Sequence, residues 1–367
     1  MVDAERVWIL SVPFHNVTFD DTVAWATDRM ERGVPGGIVV TPNLDFMLAV
    51  SRDRDLRRMV FASDCVVADG MPAVWLSGLL GPRLKARVTG SDLTPALLKV
   101  CGERGWSVFA IGGAPGVAET ALKRMQGQHP GLKIAGTVSP PMVPFEQMDL
   151  AGIAESVRQT SPRLLLVAMG MGKQEKMMHW LRAHSDVPVM MGIGGSLDFL
   201  AGVQTRAPKW VQRVGLEWVW RTATDPGRFI KRYSRDGVWL LGTLVRLFGL
   251  RIAAAARRPA RGDSAGDAFG TGTILRMPFV ATKEDQRSFL EEAERRAWTT
   301  LDLRSHRWLN SLELAVLAVL DEKREKASVQ TSICVSSPVI ESLLSMANLF
   351  EHKNVAHEMI ATGDEAS

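Results

Sequence analysis

The sequence predicts an α/β fold with a parallel sheet for residues 1–203. Short apolar runs typical of buried strands recur along this range, and segments with helical periodicity separate them. Glycines and polar residues follow the runs, which is where open parallel sheets bind their ligands. The runs predict strands over Val7–Val12, Gly37–Val40, Cys65–Ala68, Trp106–Ile111, Lys133–Val138, Arg163–Met169 and Val187–Gly192.

Two of the helices between these strands can be placed by their ends. Thr18 followed three residues later by Asp21 is typical of a capped helix start. Ser91 and Asp92 precede a second helical pattern, and Gly102 and Gly105 suit the end of that helix.

Cysteine usage and the first residues indicate the compartment. The three cysteines, Cys65, Cys101 and Cys334, are scattered and form no CxxC pair. Unpaired thiols of this kind are typical of a reducing compartment. The chain starts with acidic residues before a short apolar run, a pattern that does not fit a signal peptide. We therefore expect a cytoplasmic protein.

The net charge of +4 conceals a strong asymmetry. Between Gln204 and Arg261 there are thirteen basic and three acidic residues, so the rest of the chain is negatively charged. A basic segment in an otherwise acidic protein indicates an anionic partner, such as lipid headgroups, nucleic acid or a phosphorylated substrate.

Residues 204–257, which we call the basic appendage, combine these cations with aromatic residues. The apolar stretch near its end is interrupted by Arg246 and Arg251, so we do not expect a membrane-spanning helix. An amphipathic helix that lies among lipid headgroups fits better. The alternative is a helix packed on the core, with arginines that reach solvent.

The rest of the chain predicts a linker and a further domain. Residues 258–270, RPARGDSAGDAFG, have the composition of a linker. Residues 271–367 contain three short strand patterns and two amphipathic helical patterns, which predict a second, small α/β domain.

Two predicted strand ends carry candidate catalytic or binding residues. Thr41 and Asn43 follow a strand and can bind a sugar or a phosphate, but proline and asparagine also form turns and helix caps. Asp69 directly follows a buried run, a typical place for a general base. Its alternative role is to cap a helix that has Pro72 in its first turn.

Further candidates are a cation and a glycine pair. Arg87 can bind a phosphate through two parallel hydrogen bonds, although a surface arginine is the common case. Gly112 and Gly113 lie between a strand and a helix, where backbone N–H groups can receive a phosphate. The stretch does not match the GxGxxG dinucleotide fingerprint, which disfavours a nicotinamide-dependent enzyme.

The last two predicted strands end in further candidates. Gln174 can hold a sugar or a base, and the alternative is an ordinary helix start rich in Gln and Glu. Gly194 and Gly195 permit close approach of a ligand to the backbone. The sequence contains neither a GKS or GKT phosphate loop nor a GxSxG serine motif.

We expect no metal site. The seven histidines are dispersed. Asp53 and Asp55 form a DxD, the pattern that metal-dependent glycosyltransferases use, but they lie in the charged run SRDRDLRR with no strand before it.

The ordered motifs resemble the WecG/TagA/CpsF glycosyltransferase family over residues 7–235. The motifs that carry the resemblance are TPN, VVADGMP, RVTGSDL, IGGAPG, KQE, GIGGSLDFLAG and RAPKWVQRVGLEWVWR. The resemblance implies a Rossmann-like core and transfer of an N-acetylmannosamine-type or related sugar from a UDP-sugar to a polyprenyl-diphosphate-linked acceptor. It further implies inversion at the anomeric carbon, no metal or other cofactor, and a role in cell-surface polysaccharide biosynthesis on the inner face of the bacterial cytoplasmic membrane.

The resemblance also implies roles for individual residues. Asp69 matches the catalytic base, and the pocket residues around it match Thr41, Asn43, Arg87 and Gln174. We place Gly112, Gly113, Gly194 and Gly195 on the donor side. The arginines that contact the acceptor diphosphate match Arg206, Arg213 and Arg221, with Arg228 and Arg232 as further candidates. The chain departs from the family pattern GxPKQE at one position, where Gly172 replaces proline; we expect a looser loop there.

Residues 271–367 resemble a STAS domain through LDLRSHRWLNSLELAVLAVL and VSSPVIESLLSMANL. In signalling members of that family a serine in a DSSG-like turn is phosphorylated. The turn here keeps Ser311 but has lost the Asp and the Gly, which leaves Ser311 as a candidate phosphosite and makes docking of a partner protein the simpler expectation. The alternative function for the whole chain is therefore a weak or inactive enzyme that acts as a regulator through this domain.

We expect an anionic membrane surface but no nucleic acid as partner of the chain. A homo-oligomer is left open as a further alternative.

Overall fold

The computed structural model describes most of the first two thirds of the chain and parts of the last third. The described residues are 6–208, 211, 217–256, 274–278, 280, 283–295, 298–303, 306, 309, 311–326, 331–335, 338–347, 349 and 355–357. They divide into two compact units. The first contains Arg6, Val12–Trp75 and Arg83–Val238, and the second contains Val7–Ser11, Leu76–Pro82 and the described residues from Trp239 onward.

The beginning of the chain differs from the prediction. Instead of one strand over Val7–Val12, the structure has two short strands, β1 (Arg6–Ile9) and β2 (Val12–His15). Leu10, between them, has φ 55, a left-handed conformation that interrupts extended backbone. Neither strand belongs to the central sheet.

Six parallel strands form the central sheet, as predicted. They are β3 (Gly37–Val40), β4 (Cys65–Val66), β5 (Ser107–Gly112), β6 (Lys133–Val138), β7 (Leu164–Ala168) and β8 (Val189–Gly192). Their spatial order is β4-β3-β8-β7-β5-β6. In register, Val39 pairs with Met191, and Gly112 pairs with Ala168. All residues of β3 and β8 are buried, as expected for a sheet covered on both faces.

Helices alternate with these strands. They are α1 (Phe19–Arg32), α2 (Leu44–Val50), α3 (Arg54–Phe61), α4 (Met71–Leu80), α5 (Gly90–Arg104), α6 (Val117–Gln128), α7 (Leu150–Thr160), α8 (Lys173–Arg182) and α9 (Ser196–Ala201). Thr18 and Asp21 form the predicted capping box of α1. The cap of α5 is Thr89, two residues before the predicted position, and the helix ends at Gly105 with φ 64, as predicted.

The basic appendage contains two described helices, α10 (Glu217–Thr224) and α11 (Pro226–Ala256). No described helix is both long enough and apolar enough to cross a membrane. The predicted linker, 258–270, lies outside the described residues.

The second unit contains a four-stranded parallel sheet. Its strands are β9 (Ile274–Arg276), β10 (Thr300–Asp302), β11 (Ser332–Val335) and β12 (Val355–His357), in the spatial order β12-β11-β10-β9. The helices α12 (Lys283–Arg295), α13 (Ser311–Lys326) and α14 (Pro338–Met346) each connect two successive strands. Leu275, Leu301 and Ile333 are fully buried, so this sheet has an apolar interior.

Gly112, at the end of β5, lies where two central strands approach each other closely. Gly112 has φ 106, and a Cβ atom there would lie 2.2 Å from the carbonyl oxygen of Ala168. We predict that Gly112→Ala lowers the free energy of unfolding by about 2 to 4 kcal/mol, through backbone strain and the clash.

Gly127, in the last turn of α6, has open space at its Cβ position. Gly127→Ala is the matched control and should stabilise by about 0.5 to 1 kcal/mol. Urea unfolding measures both; equal midpoints for Gly112→Ala and the wild type would contradict the prediction.

Candidate active site

The predicted site residues of the first unit follow the carboxyl ends of the central strands. Thr41 and Asn43 come after β3, Asp69 after β4, Gln174 after β7, and Gly194 after β8. Because all six strands are parallel, these ends share one edge of the sheet. β5 continues towards β6 on one side and β7 continues towards β8 on the other, so a crevice is expected between the ends of β5 and β7.

Backbone hydrogen bonds bring four of the predicted residues into neighbouring loops. The N–H of Asp69 donates to the carbonyl oxygen of Pro42 over 3.1 Å, and the N–H of Val88 donates to that of Ala68 over 2.9 Å. Gly90 packs against Thr41, since a Cβ at Gly90 would lie 3.0 Å from Thr41 Oγ1. The loops with Thr41, Asn43, Asp69 and Arg87 are thereby connected, and we call these four residues the Asp69 cluster.

Asn43 and Asp69 both lie next to the start of a helix. Asn43 caps α2, and its Oδ1 accepts a hydrogen bond of 3.0 Å from the N–H of Phe46. Asp69 is half-buried and lies two residues before Met71, where α4 starts. The flanking residue is Gly70, whose φ of 144 lies where glycine is favoured. The chain therefore turns immediately after the Asp69 carboxylate.

An open cavity of about 450 Å³ lies at the start of α4. Its lining combines three cations with apolar side chains, namely Arg83, Lys85, Arg87, Met71, Val74, Leu84 and Ala86. Within the described part of the chain, none of the three cations forms an ion pair. A positive, partly apolar cavity is suited to an anionic ligand that carries an apolar portion. Of these cations, Arg87 was predicted from the sequence and Arg83 and Lys85 were not, although the three alternate along one short loop.

A second group of residues, the Gln174 network, consists of Gly172, Gln174, Glu175 and Gly194. Glu175 Oε2 accepts a 2.6 Å hydrogen bond from the N–H of Gly172, and Oε1 accepts one of 2.8 Å from Gln174 Nε2. Gln174 Oε1 in turn accepts a 3.2 Å hydrogen bond from the N–H of Gly194. The network thus joins the start of α8 to the end of β8. Burial raises the pKa of Glu175 to about 7, although these hydrogen bonds oppose the shift.

Gly172 behaves differently from the expected loose loop. Its φ is 83, which proline cannot adopt, because the proline ring holds φ near −65°. Proline also lacks the N–H that donates here to Glu175. The glycine at this position is therefore held by a hydrogen bond to a buried carboxylate.

The donor-side glycines lie beside helix starts. The N–H of Gly113 donates to the carbonyl oxygen of Ala168 over 3.0 Å, which fixes the end of β5 against β7. Gly116 and Gly195, at the cap positions of α6 and α9, provide no side-chain cap. Helix starts without a side-chain cap are suited to anionic oxygens.

Arg206, the first predicted acceptor-binding arginine, is bound to the core. Its Nη1 lies 2.7 Å from Asp92 Oδ1 and also donates to the carbonyl oxygen of Ser91. Burial acts to raise the pKa of Asp92, but hydrogen bonds from Arg206 and Thr89 outweigh it and leave that pKa below its ordinary value. Arg213 lies outside the described residues. The side chains of Arg221 and Arg228 are not described either.

A further carboxylate, Asp45, binds the start of α11. Arg232 Nε lies 3.0 Å from Asp45 Oδ2, and Arg235 pairs with both Asp45 and Asp236. Burial, and then the neighbouring Asp45, raise the pKa of Asp236. Asp45 is only two residues from Asn43, so the appendage is attached beside the Asp69 cluster. Asp45 was not predicted from the sequence, although an acidic residue beside the predicted pocket was the available signal.

Two predicted positions remain, Asp53 and Ser311. Asp53, of the DxD, caps α3 by accepting from the N–H groups of Asp55 and Leu56. Among the described residues, no three His, Cys, Asp or Glu side chains are grouped as metal ligands. Ser311 is the first residue of α13, and its side chain is not among those described.

Known proteins with similar sequences belong to one glycosyltransferase family. The model of the glycosyl transferase WecG/TagA/CpsF family matches residues 7–252. The chain is 31% identical over 226 residues to N-acetylglucosaminyldiphosphoundecaprenol N-acetyl-beta-D-mannosaminyltransferase of Bacillus subtilis (strain 168), covering 62% of this chain and 86% of that protein. It is 30% identical over 199 residues to the protein of the same name from Bacillus spizizenii (strain ATCC 23059 / NRRL B-14472 / W23), covering 54% of this chain and 76% of that protein.

The buried carboxyl of Glu175 predicts a pH-dependent stability. Its folded-state pKa of about 7 exceeds its ordinary value of 4.5, so between these values only the unfolded chain ionises. The stability should therefore fall as pH rises from about 4.5 to about 7, by about 3 kcal/mol in total, and then stay constant. Urea unfolding at several pH values checks this against Glu175→Gln, which lacks the titrating group. A stability difference between the two proteins that is the same at pH 5 and pH 8 would contradict the prediction.

Proposed function

The chain belongs to the WecG/TagA/CpsF family of glycosyltransferases, and from this membership we propose that it moves an N-acetylmannosamine-type sugar from a UDP-sugar to a polyprenyl-diphosphate-linked acceptor. Two curated relatives support this choice of substrates, since their name specifies N-acetylmannosaminyl transfer to N-acetylglucosaminyldiphosphoundecaprenol. The chain aligns with 86% of the first relative's length. The proposed pathway is the synthesis of a cell-surface polysaccharide.

The observation that carries the proposal is the position of Asp69 at the carboxyl edge of the sheet, beside a cavity that contains cations. We assign Asp69 as the general base. It removes the proton from the acceptor hydroxyl while that oxygen attacks the anomeric carbon, and the bond from this carbon to the UDP oxygen breaks. A single displacement of this kind inverts the anomeric centre.

The charge that develops on departing UDP needs stabilisation. On the donor side we assign this role to the backbone around Gly112, Gly113, Gly194 and Gly195, together with the start of α6. Arg87 is assigned to the donor and substrate pocket, and the acceptor diphosphate is assigned to Arg206, Arg213 and Arg221 of the appendage. Metal independence is part of the proposal, and it is supported by the use of the Asp53 carboxylate as a helix cap.

A peripheral position on the inner face of the cytoplasmic membrane is proposed from α11. Leu241, Val245, Phe248 and Ile252 recur at helical spacing and are all more than half exposed. Arg246 and Arg251 are exposed on the same helix. Large exposed apolar side chains flanked by arginines are typical of helices that lie in an anionic lipid interface.

For residues 271–367 we propose a STAS-like module that docks a partner protein. The alternation of its four parallel strands with three helices supports a small α/β module of this kind. Ser311, at the start of α13, is retained as its candidate phosphosite. A regulator without turnover, acting through this module, is the competing function, and the following assay separates the two.

The catalytic assignment predicts the effect of one substitution. Asp69→Asn should lower turnover by about 10²- to 10⁴-fold, because the amide cannot accept the hydroxyl proton. Release of UDP from UDP-N-acetylmannosamine, with a polyprenyl-diphosphate-linked N-acetylglucosamine as acceptor, measures this. Asp186→Asn alters an exposed carboxylate elsewhere and is the control, which should keep wild-type turnover. Full activity of Asp69→Asn would exclude Asp69 as the base, and a wild-type protein without turnover on any UDP-sugar would favour the regulator.

The membrane assignment predicts a loss of vesicle binding. Replacing Val245 and Phe248 together by Glu should weaken binding to phosphatidylglycerol vesicles by roughly tenfold or more, since two interfacial apolar side chains are lost. Ser234→Glu adds a negative charge to an exposed position of the same helix and should change binding less than threefold. Vesicle sedimentation measures both, and unchanged binding of the double variant would exclude this face of α11 as the anchor.

A further inference from the structure

We infer that Glu175 is a positioning residue which, through Gln174, fixes the backbone of Gly194 at the end of β8. The inference rests on the proposed function, because it takes Gly194 and Gly195 to contact the UDP-sugar. Glu175 itself is fully buried, so we assign it no direct contact with a ligand.

The carboxylate accepts hydrogen bonds with both of its oxygens. One oxygen accepts from the backbone N–H of Gly172 and the other from the Gln174 amide. Both neighbours are donors, and above its pKa of about 7 the ionised Glu175 carboxylate only accepts, so that form matches them. A neutral amide at this position has one acceptor and one donor, and its donor would face another donor.

The orientation of the Gln174 amide follows from this arrangement. Because Nε2 donates to Glu175, Oε1 points the opposite way and accepts from the N–H of Gly194. A reversed amide would place its oxygen against the carboxylate and its NH₂ group against the N–H of Gly194, and both contacts are repulsive. Glu175 therefore determines which end of Gln174 meets the loop after β8.

Packing leaves Gln174 little freedom. Its side chain is buried, and a Cβ at Gly192 would lie only 2.8 Å from Gln174 Nε2. The amide thus lies directly on the backbone of the last residue of β8, within a close-packed interior. A change at Glu175 is consequently transmitted to the segment Gly192–Gly194 rather than absorbed by a rotation of the side chain.

The loop that Gln174 holds leads into a helix without a side-chain cap. Gly194 has φ 49, and Gly195 occupies the cap position of α9. The backbone of these two glycines is the part of the proposed donor site that depends on Gln174. Loss of the hydrogen bonds in the Gln174 network should therefore weaken binding of the nucleotide donor and leave binding of the lipid-linked acceptor unchanged.

The experiment measures equilibrium binding of UDP to the full chain by calorimetry. Glu175→Gln should raise the Kd for UDP at least tenfold, and Gln174→Ala should do the same. If Glu175 acts through Gln174, the double variant should bind UDP no more weakly than either single variant. Glu146→Gln changes an exposed glutamate close to α8 and should leave the Kd unchanged.

Steady-state kinetics separate positioning from a general loss of structure. The KM for the UDP-sugar should rise in Glu175→Gln while the KM for the acceptor stays within about twofold of the wild type. Glu175→Asp keeps the charge on a shorter side chain and should recover part of the affinity for UDP.

Three results would overturn the inference. These are wild-type UDP affinity of Glu175→Gln, additive effects in the double variant, and an equal rise of both KM values. If Glu175→Gln does not fold, Gln174→Ala and Glu175→Asp carry the same comparison. Absence of turnover in a wild-type protein that still binds UDP would count against the proposed reaction, whereas the UDP comparison would still decide the role of Glu175.

Discussion

Strands that run in the same direction end at one edge of a sheet, and the backbone groups beyond each end must find hydrogen-bond partners without a further strand. In this chain the loops supply those partners to one another. The backbone N–H of Asp69 donates to the carbonyl oxygen of Pro42. In the same way the N–H of Val88 donates to Ala68, and the N–H of Gly113 donates to Ala168. The loops that satisfy the backbone in this way are the loops that carry the candidate catalytic and binding residues. The geometry of the site is therefore a consequence of how the sheet edge is closed.

Charge is distributed between the core and the appendage in a complementary way. The core provides carboxylates beside the pocket, and the appendage provides guanidinium groups that bind them. Asp92 holds Arg206, while Asp45 holds Arg232 and Arg235. The cations around the cavity, by contrast, have no such partner among the described residues. An anion that binds Arg206 must therefore compete with Asp92, whereas one that binds in the cavity displaces no ion pair of the described residues.

Local sequence patterns predicted the six central strands, because apolar runs and the glycines after them are encoded within a few residues. The capping box of Thr18 and Asp21 was predictable for the same reason. Leu10 was not, since a left-handed leucine has no sequence signature, and the predicted first strand is two strands. The ion pair of Asp45 with Arg232 joins positions far apart in the chain, and pattern reasoning carries no information on such pairs. Gly172 was recognised as unusual, but its bond to Glu175 depends on a φ value that only the structure provides.

The pairing of Asp45 with two arginines has a thermodynamic consequence. The Asp45 side chain is only 14% exposed, so an anion that captured both arginines would leave a poorly hydrated carboxylate without a counter-charge. Capture of an anion and retention of the appendage on α2 are therefore negatively linked, and linkage requires each to weaken the other by the same factor. Asp45 therefore competes with external anions for Arg232 and Arg235. An anion can release the start of α11 from the core only if it binds these arginines more strongly than Asp45 does.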